Sequence, residues 1–390
     1  MDDKRASAGD IRQPSLEDFK GKVISEAMNP LRFELLIKKL GEMIPEDIEM
    51  IFLEVKAHVG MLMIHEFGSE VIQKFFAVCE EEQMNMVVSS IAVDSGLLMA
   101  ICLNSWGSRS MLKLLDCLTT RTQLDYVMWA LEKIIVPLAN HPIGSTVIRQ
   151  CFIVFPGPEA EPLLGMIAQH LLEIIYSEIG SRLVQAIISN AFTLRGQRRI
   201  VSGIMLNLRY LSMHQFGSHV VMHLIGLGSM QETMIYILRG CFDFLSANKY
   251  ASNVVKKFIE ASEGTGRHMI IDEIFNSPVF SRILQNPYGY SVIQFAKEYS
   301  TGTVLGQTSN QHPVVQSTEE HSVGIVRQTL GHLIQHSDHL NGPCPRKNSL
   351  PNKRRNHVRI TKNHFLLFKR RKRKKNKRIL EMLKEKFVCN

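Results

Sequence analysis

His65-Glu66-Phe67-Gly68-Ser69-Glu70-Val71-Ile72-Gln73 decides the fold, because the same pattern returns along the chain. Its later copies are Asn104-Ser105-Trp106-Gly107-Ser108-Arg109-Ser110-Met111-Leu112, His141-Pro142-Ile143-Gly144-Ser145-Thr146-Val147-Ile148-Arg149 and Ser177-Glu178-Ile179-Gly180-Ser181-Arg182-Leu183-Val184-Gln185. Then come His214-Gln215-Phe216-Gly217-Ser218-His219-Val220-Val221-Met222, Asn248-Lys249-Tyr250-Ala251-Ser252-Asn253-Val254-Val255-Lys256 and Asn286-Pro287-Tyr288-Gly289-Tyr290-Ser291-Val292-Ile293-Gln294. The anchor glycine, once alanine, stands at 68, 107, 144, 180, 217, 251 and 289, so the copies lie 34 to 39 residues apart. A degenerate copy, Asn29-Pro30-Leu31-Arg32-Phe33-Glu34-Leu35-Leu36-Ile37, opens the series. Self-similarity at this period marks a repeat array.

After each anchor, apolar residues fall in adjacent pairs four apart: Val71/Ile72 with Phe75/Phe76, Leu183/Val184 with Ile187/Ile188, Val220/Val221 with Leu224/Ile225. That spacing predicts an α-helix with one broad buried stripe. The first, second and fifth residues after the anchor are then expected on the opposite face. Further amphipathic helices are predicted at 83–91, 124–135, 163–175 and 230–244. Glycine at the anchor implies a close approach of the preceding turn, and the bulky residue before it (Phe67, Trp106, Ile143, Ile179, Phe216, Tyr250, Tyr288) can plug the gap between stacked units. No single unit can bury its stripe alone, so the units must stack into an all-α solenoid.

Regularity ends near Lys297. A polar stretch at 300–322 reads as a loop, and 323–336 as a last helix capping the array. Asn341-Gly342-Pro343-Cys344-Pro345 marks a boundary. The expected organisation is an N-terminal arm over 1–22, the repeat domain over 23–340 and a tail over 341–390. The tail is basic: residues 346–390 hold 18 of the 46 Lys+Arg and 2 of the 37 Asp+Glu, which leaves residues 1–345 at a net −7. The run 369–378 is basic except for Asn376, which fits a nuclear-import signal or a sequence-independent phosphate contact.

Other function classes find little support. The longest apolar runs fall well short of the ~18 residues that span a bilayer. Met1-Asp2-Asp3-Lys4-Arg5 has no apolar stretch behind it, and a cytoplasmic or nuclear protein without a membrane partner is expected. The seven cysteines include no C-x-x-C pair and read as reduced core residues rather than zinc ligands or disulfides. No H-E-x-x-H, P-loop, G-x-S-x-G or G-x-G-x-x-G arrangement occurs, so no metal, cofactor or enzymatic activity is expected. His65, His141 and His214 recur with the repeat, which is a structural explanation for them.

The copies resemble the repeats of the Pumilio (PUF) family of single-stranded-RNA-binding proteins, of the plant type, over roughly 28–300. The resemblance implies a right-handed, crescent-shaped α-solenoid of about seven to eight three-helix repeats, with RNA lying antiparallel along the inner curve, one base per repeat. It implies translational repression or turnover of mRNA through 3′-untranslated regions, a monomer, and regulatory protein partners. It also implies a base-reading triad on each helix. Residues i and i+4 share a helix face and can meet a base edge. The residue at i+1 can stack between bases, worth ~1–3 kcal/mol each.

Here the i/i+4 pairs are Ser69/Gln73, Ser108/Leu112, Ser145/Arg149, Ser181/Gln185, Ser218/Met222, Ser252/Lys256 and Tyr290/Gln294, with Glu70, Arg109, Thr146, Arg182, His219, Asn253 and Ser291 at i+1. Ser with Gln resembles the family's adenine reader, which singles out the copies at Ser69 and Ser181. Arg149 offers donors for cytosine or guanine. Leu112 and Met222 cannot hydrogen-bond a base, and Lys256 cannot accept from guanine. About half the copies thus depart from the family's code, so RNA binding is expected to be weaker or less selective. Two other readings stay open: a solenoid scaffold for protein partners, and a ribosome-assembly factor binding structured RNA. For the serines themselves, a plain N-cap role is the alternative.

Overall fold

The computed structural model describes residues 19–189 and 194–300. The arm before Phe19, the predicted loop at 300–322, the capping helix at 323–336 and the tail lie outside the described residues.

Every described element is helical, and the elements group into eight units. Unit 1 holds α1 (Val23–Ala27), α2 (Phe33–Gly41) and α3 (Pro45–Val55). Unit 2 holds α4 (Val59–Ile64), α5 (Glu66–Phe76) and α6 (Glu81–Val93). Unit 3 holds α7 (Ser95–Leu103), α8 (Ser105–Asp116) and α9 (Arg121–Glu132). Unit 4 holds α10 (Ile135–Ala139), α11 (Pro142–Val154) and α12 (Glu161–Gln169), with a 3-10 turn at Gly157–Ala160. Unit 5 holds α13 (Leu171–Ile175), α14 (Glu178–Ser189) and α15 (Leu194–Leu206). Unit 6 holds α16 (Leu208–Ser212), α17 (Gly217–Gly226) and α18 (Gln231–Leu238). Unit 7 holds α19 (Phe242–Ser246), α20 (Ala251–Ala261) and α21 (Gly264–Phe275), and unit 8 holds α22 (Phe280–Gln285) and α23 (Pro287–Ser300). The degenerate opening copy is therefore a full unit.

The second helices form one layer: α2, α5, α8, α11, α14, α17, α20 and α23 each pack on the next. Their paired apolar residues are buried, among them Val71, Ile72, Phe75, Leu183, Val184 and Phe258. Each is worth roughly 1.5–3 kcal/mol. Third helices form a second layer, with α6, α9, α12 and α15 in series and α18 against α21. Two buried glutamines lock that layer. Gln83 Nε2 donates to Glu49 Oε2 at 2.7 Å, and Gln123 Nε2 donates to Asn85 Oδ1 at 2.8 Å. Each also accepts a backbone N–H at its own helix start, from Glu80 and Thr120.

Two of the four predicted connecting helices prove to be two helices each. The stretch 163–175 breaks at His170, and 230–244 breaks at Gly240, whose φ is +79°. The apolar period runs on through both breaks because each pair of helices packs against the same core. Periodicity alone therefore does not reveal the turn.

Among the described cysteines, Cys102 and Cys151 are buried and Cys79, Cys117 and Cys241 half-buried, and burial pushes the Cys102 thiol up to about 12. Among the described residues no group of metal-ligating side chains assembles, and no single helix is long and apolar enough to cross a membrane.

Candidate nucleic-acid interface

From α5 onward, each second helix is started by the residue that opens its repeat copy. Nδ1 of His65 accepts from Gly68 N at 3.2 Å, and Nδ1 of His141 accepts from Gly144 N at 3.4 Å. Asn104, Asn248 and Asn286 do the same through Oδ1, and Ser177 through Oγ at 2.9 Å. His214 accepts from both Phe216 N and Gly217 N, and its ring lies 4.3 Å from that of Tyr176. Burial holds His214 below the usual histidine range. The recurring histidines thus cap their helices through Nδ1, an N-terminal device.

The anchor position explains itself in the same geometry. A Cβ on Gly144 or Gly217 would stand 2.8 Å from the carbonyl oxygen of Leu138 or Leu211, and at Gly107, Gly180 and Gly289 the carbonyl six residues back is closer still. Glycine lets the second helix rest on the end of the first.

The serine after the anchor is not the cap. It lies inside the helix, and it is buried at all six positions: Ser69, Ser108, Ser145, Ser181, Ser218 and Ser252. Each hydroxyl donates to the carbonyl three residues back, at 2.9 Å for Ser69 and 2.8 Å for Ser181. The expectation that this residue sits opposite the stripe is corrected here. The buried sector of the helix reaches the i position because the neighbouring units cover that flank.

The other two triad positions are accessible. All seven i+1 residues, Glu70, Arg109, Thr146, Arg182, His219, Asn253 and Ser291, are exposed. At i+4, Gln73, Leu112, Gln185, Met222, Lys256 and Gln294 are half-buried and Arg149 is exposed. Several already have partners. The Arg109 guanidinium lies 5.0 Å from the Trp106 ring centroid. Arg182 Nη2 pairs with Glu178 Oε1 at 2.6 Å, and Gln185 Nε2 leans on Ser181 O at 3.3 Å. Lys256 Nζ donates to Ser291 Oγ of the next unit at 2.6 Å. Unit 8 alone places an exposed ring, Tyr290, at i, and Tyr288 beside it is also exposed.

The layer therefore brings seven i+1 and seven i+4 side chains onto one continuous face, and withholds six serine side chains from it. Sequence reasoning missed the polar ties between units: the exposed bonds from Gln150 Nε2 to Asp116 Oδ1 at 2.6 Å and between Ser189 Oγ and His223 Nε2 at 2.6 Å, and the buried glutamines of the third-helix layer. Their signal was a polar residue at a fixed place in the repeat, which periodicity does not distinguish from a solvent-facing one.

Comparison with known proteins agrees with this architecture. The model of the Pumilio-family RNA binding repeat matches residues 58–92, 135–168, 207–235 and 243–275, which fall on units 2, 4, 6 and 7. Pumilio homolog 9 of Arabidopsis thaliana is 29% identical over 290 residues, covering 74% of this chain and 51% of its own length; Pumilio homolog 12 of the same plant is 28% identical over 294 residues, covering 74% and 49%. The chain thus spans about half the length of the curated relatives it matches. Among solved structures, the RNA-binding domain of yeast Puf5p bound to SMX2 RNA superposes with a TM-score of 0.61 at 19% identity, over 84% of this chain and 92% of that one. The Puf4 RNA binding domain bound to HO endonuclease RNA 3′ UTR recognition sequence gives 0.59 at 21%, over 80% and 93%. Eight stacked units, four of them matching the model of the Pumilio-family RNA binding repeat, make this a solenoid similar to those of the Pumilio repeat family.

Proposed function

We propose that the chain binds single-stranded RNA along its second-helix layer and regulates the translation or turnover of mRNA through 3′-untranslated sequences. One observation carries the reading: accessible i+1 and i+4 side chains recur at the same place on seven successive helices of one layer. Unstacked bases laid along such a face would meet a flat or long side chain at i+1 and a hydrogen-bonding one at i+4. Unit 5 is the best reader. The Gln185 amide both donates and accepts, as the edge of adenine requires. Arg182 is held only by an exposed ion pair, which is worth little and can be exchanged for stacking. The family match and the RNA-bound structural neighbours support the reading. On it, residues 23–340 are the RNA-binding domain, and the basic 341–390 tail adds salt-sensitive affinity.

The test is selection from a random RNA pool with the full-length protein, repeated at two salt concentrations. A short motif with adenine at one fixed place is expected, and Arg182→Ala with Gln185→Ala should weaken its binding by about tenfold or more. Unaltered affinity in the double variant would remove unit 5 from the reading. A second reading, a scaffold for protein partners, is favoured by Leu112 and Met222 at i+4 and by the engaged Lys256. It predicts that no motif is enriched.

A further inference from the structure

Units 1 and 2 differ from the rest of the second-helix layer in three respects, and the inference they carry rests on the RNA-binding reading above. First, unit 1 has no reader: Phe33, Glu34 and Ile37 occupy its triad positions. The Phe33 ring lies 5.1 Å from that of Phe67, the plug residue of unit 2, so an aromatic pair fills the place where a base edge would be met. Second, the anchor of unit 1 is Arg32. Its Nε stands 2.7 Å from Glu26 Oε2 and its guanidinium 5.8 Å from the Phe19 ring. This cluster closes the array at its first end.

Third, the exposed face changes sign along the layer. Positions i−3 and i+1 project in nearly the same direction from a helix. In unit 2 they are Glu66 and Glu70, both exposed, and Glu34 of unit 1 is exposed at the matching place. The cations of these helices, Lys38, Lys39 and Lys74, lie outside the triad positions: Lys38 and Lys74 stand one turn beyond Glu34 and Glu70, and Lys74 lies half-buried beside Gly41. From unit 3 onward the triad positions carry Arg109, Arg149, Arg182, His219 and Lys256, with Lys249 added at i−3 in unit 7. Glu178 is the acidic exception, and Arg182 neutralises it.

A nucleic acid strand is a line of negative charge, held by cations and repelled by carboxylates. We infer that the RNA track starts at unit 3. Units 3–8 hold the strand, and units 1 and 2 terminate it by presenting carboxylates and a packed ring pair where the next phosphate and base would go.

The test uses full-length protein and its selected RNA, substituted in turn at each position with 4-thiouridine, crosslinked by light and mapped by peptide mass spectrometry. Crosslinks are expected within residues 105–294 and none within 29–77. In parallel, Glu66→Gln with Glu70→Gln should raise affinity about threefold or more for that RNA extended by a few nucleotides at the end nearest unit 3. The gain should vanish when the extension is trimmed. Crosslinks in unit 2 as strong as those in unit 5, or no length-dependent gain, overturn the inference while leaving RNA binding intact. Failure to select any RNA overturns the proposed function, and this inference with it.

Discussion

Single atoms decide where the repeat tolerates change. At Gly144 an added methyl would meet the Leu138 carbonyl at 2.8 Å, and backbone cannot step aside as a flexible side chain can. Gly144→Ala should therefore destabilise the protein by about 1–3 kcal/mol, read from urea melts. Gly226, at the end of α17, has nothing within 4 Å of such a methyl, and Gly226→Ala should stabilise by about 0.4–1 kcal/mol. The caps carry a second residue-level consequence. His214 accepts two backbone N–H groups, so it must be neutral, and burial lowers its affinity for protons below the ordinary value of 6.5. The unfolded chain then binds the proton more readily than the folded one. The stability contributed by the His214 cap is complete above pH 6.5 and falls as the pH drops below it. His214→Asn keeps the cap, as Asn104 and Asn248 do in their units, and should flatten that acid limb in melts run across pH. An unchanged acid limb would show that His214 is not its source.

Between elements, polar ties matter as much as the apolar stripe. Gln123 is buried, bonded through one end of its amide to Asn85 of the preceding third helix and through the other to the start of its own. Gln123→Ala leaves both sets of partners unsatisfied and should cost about 1–3 kcal/mol. Such glutamines are hard to see in a sequence, because a polar residue in an amphipathic pattern reads as solvent-facing. The helices themselves were legible: the adjacent apolar pairs after each anchor predicted every second helix, including the degenerate one at α2. Breaks between the third helix of one unit and the first of the next were not, at His170 and Gly240, because both pieces pack on one core and share its period. The alternative of an N-cap role for the serines fails, since His, Asn or Ser three residues before the anchor does the capping.

Over the whole array, each unit touches mainly its sequence neighbours, so stability is close to a sum of unit and interface contributions. Ile187→Ala, in the fully packed stripe of α14, should cost about 2–5 kcal/mol. Hydrogen exchange should rise most in units 4–6 and least in units 1 and 8. A uniform rise throughout would show that the solenoid unfolds as one cooperative block.

The repeat, its period, its buried stripe and its stacked all-α architecture follow from the order of residues alone, because a helix records burial every turn and a solenoid repeats that record. Which side of the stripe's border a residue falls on is settled by the neighbouring helices, and those are set only when the units pack. That is why six serines read as lining an open face turned out to be enclosed, with their hydroxyls given to their own backbone. It is also why the change from carboxylates in unit 2 to cations from unit 3 became a property of one surface only once the second helices lay side by side.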